Sequence, residues 1–366
     1  MMTGRERFLT ALANDKPDRL PCQIHSWMDY YLKTYLGGAD QFQAYERFGM
    51  DPVIYAGPGF EYSPRDRANW QVTHQSLPAR QAGGTCSRRT IATPEGTLTS
   101  VEESNPFTTW TSEPLIKSCR DFELWVKYVP GPVAVDWQPI RRIKQRIGQT
   151  GIVRGGYYSF GQGSPWQSLC VLMGTEPAIM AAIDEPAWTH QALEAMLGKQ
   201  IEVIELGGPI ELDLVETGGG AGSNTVISPA MHEEFCLPYD RRLHEALHAQ
   251  GAKVVYHLCG GLMKTLELVA RNGADGLETM TPPAMGGDCD LAEAKRRVGD
   301  KLFFIGGFDQ NAGFEKGNPA TVRRMVRHLH ACCPEGGYIC CPSDHFFFGD
   351  PANIQAFVDA ARQCTY

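Results

Sequence analysis

The sequence predicts an α/β fold built on a parallel sheet, and three observations in its C-terminal half carry that prediction. Short β-branched or aromatic runs alternate with helical patterns from residue 211 to residue 363, the order that parallel strands joined by crossover helices require. Glycines close the strand ends at Gly218 to Gly222, Gly260-Gly261 and Gly306-Gly307. Helix starts and stops fall where the alternation needs them, as at Ser228-Pro229 and Gly273. Four or five such units in about 155 residues suit a barrel half better than an open sheet, although spacing alone leaves both open.

Taken in order, the chain opens with Met1-Met2-Thr3-Gly4-Arg5-Glu6-Arg7, which lacks an apolar signal core and reads as a helix start. Pro21 to His25 is a first strand and Pro52 to Ala56 a second. Residues 80–115, rich in Thr, Ser, Arg and Gly, read as a β-hairpin excursion around Pro94-Glu95-Gly96. Gly151 to Phe160 is a further strand, ending in aromatics near a mouth. Glu211 to Glu216 runs as a strand into the glycine-rich turn 218–222. A helix then opens with Ser228 as N-cap, continues through Phe235, Leu237, Leu243 and Leu247, and stops at Gln250-Gly251, with Pro238 expected to kink it. There follow a strand at 253–256, a helix at 262–272, a strand at 274–280, a helix at 291–298 and a strand at 301–305. A helix from Pro319 to Cys332, a strand at 337–341 and a helix at 351–363 complete the series. No internal repeat or low-complexity linker interrupts residues 1–366, so one elaborated domain is expected.

Composition narrows the function. With 43% hydrophobic and 21% charged residues the chain reads as a soluble globular protein. A net charge of -8 and a pI near 5.7 argue against nucleic acid as a partner, because that binding needs concentrated Lys and Arg. No apolar run reaches the roughly 18 residues that a membrane span needs. The twelve cysteines include the adjacent pairs Cys332-Cys333 and Cys340-Cys341, which suit no ordinary disulfide framework; a reducing cytoplasm is the expectation.

The segment Val254-Val255-Tyr256-His257-Leu258-Cys259-Gly260-Gly261 is the most informative. Residues two apart on a strand share a side, so His257 and Cys259 can aim at one point. An imidazole and a thiolate converging at a strand end make half of a zinc site. A buried cysteine is also often a small hydrophobe, and a strand-end histidine often bonds a carbonyl.

Together with this strand, Arg5-Glu6-Arg7-Phe8-Leu9-Thr10-Ala11-Leu12, Lys16-Pro17-Asp18-Arg19-Leu20-Pro21 and Ile227-Ser228-Pro229-Ala230-Met231 make the chain resemble the uroporphyrinogen decarboxylase superfamily. The resemblance covers most of the chain and is clearest after residue 205. It implies a single (β/α)8 TIM-type barrel, with an N-terminal helical extension and the β-hairpin excursion, and a site at the C-terminal mouth. True decarboxylases carry arginine after the first strand for propionate groups; here that place holds His25-Ser26-Trp27-Met28-Asp29-Tyr30-Tyr31. A polycarboxylate would be left there with buried unpaired charge.

The His-x-Cys-Gly pattern resembles instead the zinc methyltransferase branch, which moves methyl groups between a corrinoid protein and a thiol or another acceptor. The resemblance implies zinc at His257 and Cys259 and a corrinoid supplied by a partner protein. Its third ligand is a Cys in a Pro-Gly-Cys turn; here the turn reads Pro342-Ser343-Asp344, so Asp344 is the first choice. Cys340, which shares strand parity with Asp344, and Cys341, His345 and Glu278 are rivals, with core packing an equal reading of the two cysteines. Glu278, Asp309 and His345 are the candidate catalytic residues at the mouth, although Asp309 could equally cap the next helix. His25, Glu216 and Tyr157 are the candidate substrate-binding residues. The turn 218–222 lacks phosphate-loop spacing and reads as a permissive loop under a large partner. Two other expectations stay open: a decarboxylase or lyase acting on a smaller acid, with Arg154 as its cation, and a non-catalytic metal-binding module or corrinoid-protein partner.

Overall fold

Alternation of inward and outward side chains along short apolar runs produces the strands that organise this chain. In the computed structural model, which describes residues 1–157 and 163–366, the strands are β1 (Val53–Tyr55), β2 (Gly59–Tyr62), β3 (Gln71–Leu77), β4 (Thr85–Thr93), β5 (Gly96–Ser104), β6 (Thr109–Glu113), β7 (Pro132–Asp136), β8 (Ile152–Gly155), β9 (Leu214–Gly218), β10 (Val254–His257), β11 (Gly276–Thr279), β12 (Phe303–Phe308) and β13 (Tyr338–Pro342). Seven of them form one parallel sheet in the order β1-β8-β9-β10-β11-β12-β13. Residues 21–23 add to its β13 edge through a parallel bridge, with Gln23 N–H donating to the Cys340 carbonyl at 3.0 Å and Cys340 N–H to that of Pro21 at 2.9 Å. The curled sheet and its surrounding helices are a TIM-type α/β barrel.

Two layers of side chains fill the barrel. Val53, Ile152, Leu214, Val255, Phe303, Ile305, Ile339 and Cys341 cluster inside it with Phe8, Ala11 and Leu12 of the helix Gly4–Leu12. That helix closes the N-terminal end. Thr3 and Glu6 form a capping box at its start, and Arg5 reaches Asp213, just before β9, at 2.6 Å. Two residues further along the strands come Tyr55, Arg154, Glu216, His257 and Glu278, so the period of two converts an apolar floor into a polar layer at the mouth. A larger apolar core separates the strands from the helices.

Several expected elements appear with the expected bounds: the helices Leu291–Val298, Pro319–Cys332 and Pro351–Gln363. Others change for physical reasons. The expected first strand reduces to its bridge, because Pro21 has no N–H to offer a ladder. The expected helix at 262–272 shrinks to Leu266–Val269: Asp288 Oδ1 accepts from Leu262 N and Met263 N at 2.7 and 3.0 Å, and the Thr265 hydroxyl takes the Leu262 carbonyl. Pro238 does more than kink its helix, which divides into Pro229–Phe235 and Leu237–Ala249. The strand expected from Gly151 to Phe160 ends at Gly155, and residues 158–162 lie outside the described residues.

The hairpin excursion is larger than expected, a four-stranded antiparallel sheet in the order β3-β4-β5-β6. Its β5–β6 turn does not stand clear of the mouth. Phe107 packs edge-on against Tyr30, Phe347 and Phe348 at ring distances of 4.8, 5.3 and 5.5 Å, which ties the excursion to the loop carrying Asp344 and His345. Among the described residues, no helix is long and apolar enough to cross a membrane.

Two predictions follow from this packing. Arg7, 2% exposed, bonds Asp18 at 2.8 Å and also pairs with Asp51. Removing one member of a buried ion network leaves the others uncompensated, so Arg7→Ala should lower the free energy of unfolding by about 3 kcal/mol. Urea denaturation measures this, and a loss under about 1 kcal/mol would refute the helix Gly4–Leu12 as a stabilising element. Asp240, buried beneath β10, accepts from the Tyr256 hydroxyl at 2.7 Å, and burial pushes its carboxyl up to about 7 against that bond. A folded-state value above the unfolded one means stability that is complete at low pH and lost as pH rises through it. The melting temperature of Asp240→Asn should therefore gain on the parent between about pH 4 and about pH 7; an unchanging gap would contradict it.

Candidate metal centre

Four neighbouring strands each end in one polar residue facing inward. Register sets their heights: His257 lies opposite Glu278 on β11, Val255 opposite Glu216 on β9, and Arg154 of β8 opposite Leu214. The His257 ring donates through Nδ1–H to Glu278 Oε1 at 2.9 Å and lies 3.6 Å from Glu216 Oε1. Arg154 Nη2 bonds Glu216 Oε2 at 2.6 Å and Glu278 Oε1 at 2.8 Å. All four are buried: Arg154 is 0% exposed, Glu278 1%, His257 3% and Glu216 8%. One donor atom each from Glu216, His257 and Glu278 lies within 4.8 Å of the others, the one such group of three among the described residues.

Charge is balanced inside this group. Burial alone would raise the Glu278 carboxyl, but the Arg154 charge and then the His257 ring hold it well below the usual carboxylate range. Burial likewise opposes a charged His257. Its hydrogen bonds to Cys259 and Glu278, and the charges of Glu278 and Glu216, outweigh burial and keep the imidazole protonated well above its usual range. Two carboxylates, one guanidinium and one imidazolium thus sum to no net charge. Several valences are left over: Arg154 Nε and Nη1, Glu278 Oε2 and the Tyr55 hydroxyl are buried without a hydrogen-bond partner among the described residues. The Arg154 guanidinium lies 4.6 Å over the Tyr55 ring.

Of the expected residues, the structure brings together His257, Glu278 and Glu216, while Cys259, two residues beyond His257, lies outside that group of three. His25 and His345 stand next to them, the His25 ring 5.7 Å from His257 and 5.0 Å from His345. Burial pushes His25 down to about 3, so its ring is neutral. Asp344 stays outside the group of three: its carboxylate takes His345 Nδ1–H at 3.0 Å, and its side chain is 61% exposed.

Cys340 turns outward among Cys22, Tyr338 and Cys364, because Ile339 and Cys341 take the inward places on β13. Cys341 Sγ accepts from Gln23 Nε2 at 3.4 Å, and burial raises both thiols far above their usual range, which suits packing better than ligation. Asp309 caps the turn Asn311–Glu315 through Ala312 N at 2.8 Å. Tyr157 stacks on Trp137 at 5.3 Å and donates to the Val203 carbonyl, so its ring faces the helix Pro186–Gly207 rather than the group. Tyr55 was absent from the expected site. Its signal was strand parity with Val53, one step from the barrel floor.

The sequence model of the family described as "Uroporphyrinogen decarboxylase (URO-D)" matches residues 138–364. Curated relatives include uroporphyrinogen decarboxylases of Neisseria meningitidis serogroup C, 28% identical over 216 residues, and of Neisseria gonorrhoeae, 30% identical over 216 residues. Each alignment covers 56% of this chain and 53% of the relative. The chain thus spans about half the length of the curated relatives it matches. Among solved structures, a methyltransferase from Methanosarcina mazei superposes over 99% of both chains with a TM-score of 0.63 at 14% identity, a likeness of fold. By its family match and its barrel, this chain belongs to the uroporphyrinogen decarboxylase family.

Proposed function

We propose that this protein is a zinc-dependent methyltransferase that moves a methyl group between a corrinoid, carried by a partner protein, and a small thiol or other acceptor or donor. The observation that carries the proposal is the buried group of Glu216, His257 and Glu278, with the partly exposed Cys259 two residues beyond His257. Carboxylate, imidazole and thiolate are the ligand types zinc accepts, and Glu278 Oε2 is a buried donor with no partner. The residues therefore fit a divalent cation. Glu216, His257 and Glu278 would hold it, with Cys259 as the adjoining thiolate. Bound there, zinc would supply a Lewis acid that lowers the pKa of a thiol or activates a leaving heteroatom.

The chain's own residues do the rest. His257 must give up its proton to become a ligand, so metal uptake releases a proton at Nδ1 or its partner nitrogen. Arg154 keeps Glu278 ionised and holds both Glu216 and Glu278 in place in the meantime. His25, neutral and one ring away, lines the approach to the group as a hydrogen-bonding side chain without charge. The excursion turn at Phe107 screens one side of the mouth, which leaves a docking corrinoid protein the remaining rim.

Decarboxylation of a smaller acid is the second reading, favoured by the names of the relatives and by Arg154 at the mouth. Against it, Arg154 already serves two carboxylates, and an incoming third would meet Glu216 and Glu278. A closed structural metal site is a third reading, which the partial exposure of Cys259 disfavours.

Elemental analysis tests the proposal. The parent chain should carry close to one zinc, and His257→Ala and Glu278→Gln should lose most of it. The loaded parent should then demethylate methylcobalamin with a thiol. A zinc-free parent after metal-replete expression would overturn the proposal, and carbon dioxide release from small acids would move the second reading forward.

Arg154 gives an independent check. Arg154→Met leaves two buried carboxylates without their cation and should cost about 3 kcal/mol in the metal-free chain. Zinc should restore more stability to this variant than to the parent, because it replaces the missing charge. Equal zinc-induced shifts in chemical denaturation would count against a metal between Glu216 and Glu278.

A further inference from the structure

The glycine-rich turn after β9 has a purpose that backbone conformation does not explain. Gly218 and Gly219 have φ of 86° and 146°, which L side chains rarely adopt. Gly220 carries no such constraint. A Cβ built on Gly220 would instead lie 2.6 Å from Cys259 Sγ, and the next atom, the Cys259 carbonyl oxygen, is 3.6 Å away. Of the surrounding atoms, the thiol in its present rotamer is the one that crowds a side chain at position 220.

The turn is held from three sides. Gly219 N–H donates to the His257 carbonyl at 2.7 Å, Ala221 N–H to Gln167 Oε1 at 3.0 Å, and the Trp166 indole N–H to the Ala221 carbonyl at 2.9 Å. Trp166 and Gln167 belong to the buried face and N-terminal turn of the helix Pro165–Met173, so the turn is pinned to the barrel wall. A methyl at 220 would therefore be relieved by the smaller adjustment, rotation of the Cys259 side chain by about 120° into another staggered well.

We propose that Gly220 is a positioning residue: its missing side chain seats the Cys259 thiol against the turn and fixes the staggered well that the thiol occupies beside the strand end of His257. This deepens the reading of Cys259 as part of the metal centre and rests on that reading for its functional consequence. The permissive turn thus serves an internal contact.

Gly220→Ala tests this, since its backbone is compatible with alanine and the fold should survive. The first measurement is a crystal structure of the metal-free variant. Cys259 Sγ should occupy a different staggered well, with the turn and its bonds to Gln167 and Trp166 in place. An unmoved thiol with a displaced turn would overturn the inference. The second is cobalt(II) alone, titrated into the parent and the variant, with the thiolate-to-cobalt absorption band read per bound metal. The parent should show the band; the variant should bind cobalt through Glu216, His257 and Glu278 but lose the band. A full-strength band in the variant would also overturn the inference. Cobalt bound to the parent with no thiolate band would remove Cys259 from the metal reading, while the crystal structure would still decide the role of Gly220.

Discussion

Everything at the mouth of this barrel depends on one fully buried guanidinium. Glu216 and Glu278 project from strands on either side of β10, toward the same small volume, in an interior that solvates charge poorly. Two acids so placed repel each other once charged, and a cation between them relieves that repulsion. Arg154, from β8, supplies it to both at 2.6 and 2.8 Å. Between the two acids the His257 ring is drawn into its protonated form, with its Nδ1–H on Glu278. The arrangement also sets the terms for any metal, which must compete with an internal cation already in place.

How far the sequence disclosed this depends on whether the deciding interactions were local. The helices Leu291–Val298, Pro319–Cys332 and Pro351–Gln363 were legible because their caps, Asp290, Asn318 and Asp350, lie immediately before the apolar periodicity they open. The stretch after Gly261 was misleading, since its helical pattern loses its first amides to Asp288, a residue far along the chain. At the site, His257 and Glu278 were legible as strand-end residues, and Arg154 as a cation near the mouth. The joining of Glu216 to that pair was not, because it follows from the stagger of β9 against β10. The inward place of Cys341 over Cys340 was hidden for the same reason: the phase of a two-residue period needs a neighbouring strand to fix it.

The family match and the chemistry are separate matters here. One barrel architecture serves proteins named as decarboxylases and one named as a methyltransferase, so the fold does not select the reaction. The inner polar layer does. In this chain it offers two acids and an imidazole, with its guanidinium already engaged, a composition suited to holding a cation more than to receiving an anion. The excursion sheet, anchored through Phe107 to Phe347 and Phe348, makes one rim of the mouth rigid and leaves access to be decided elsewhere on the rim.

The helix Gly4–Leu12 lies beneath this chemistry with a single stratum of apolar side chains between them. The floor of the site is therefore thin, and the permittivity felt by Arg154 and its acids is governed partly by a segment remote from them in the chain. Fraying of that helix would admit water from behind and weaken each attraction in the polar layer without touching any of its members. The acidity of the mouth is in that sense remotely insulated, and the first dozen residues are the insulator.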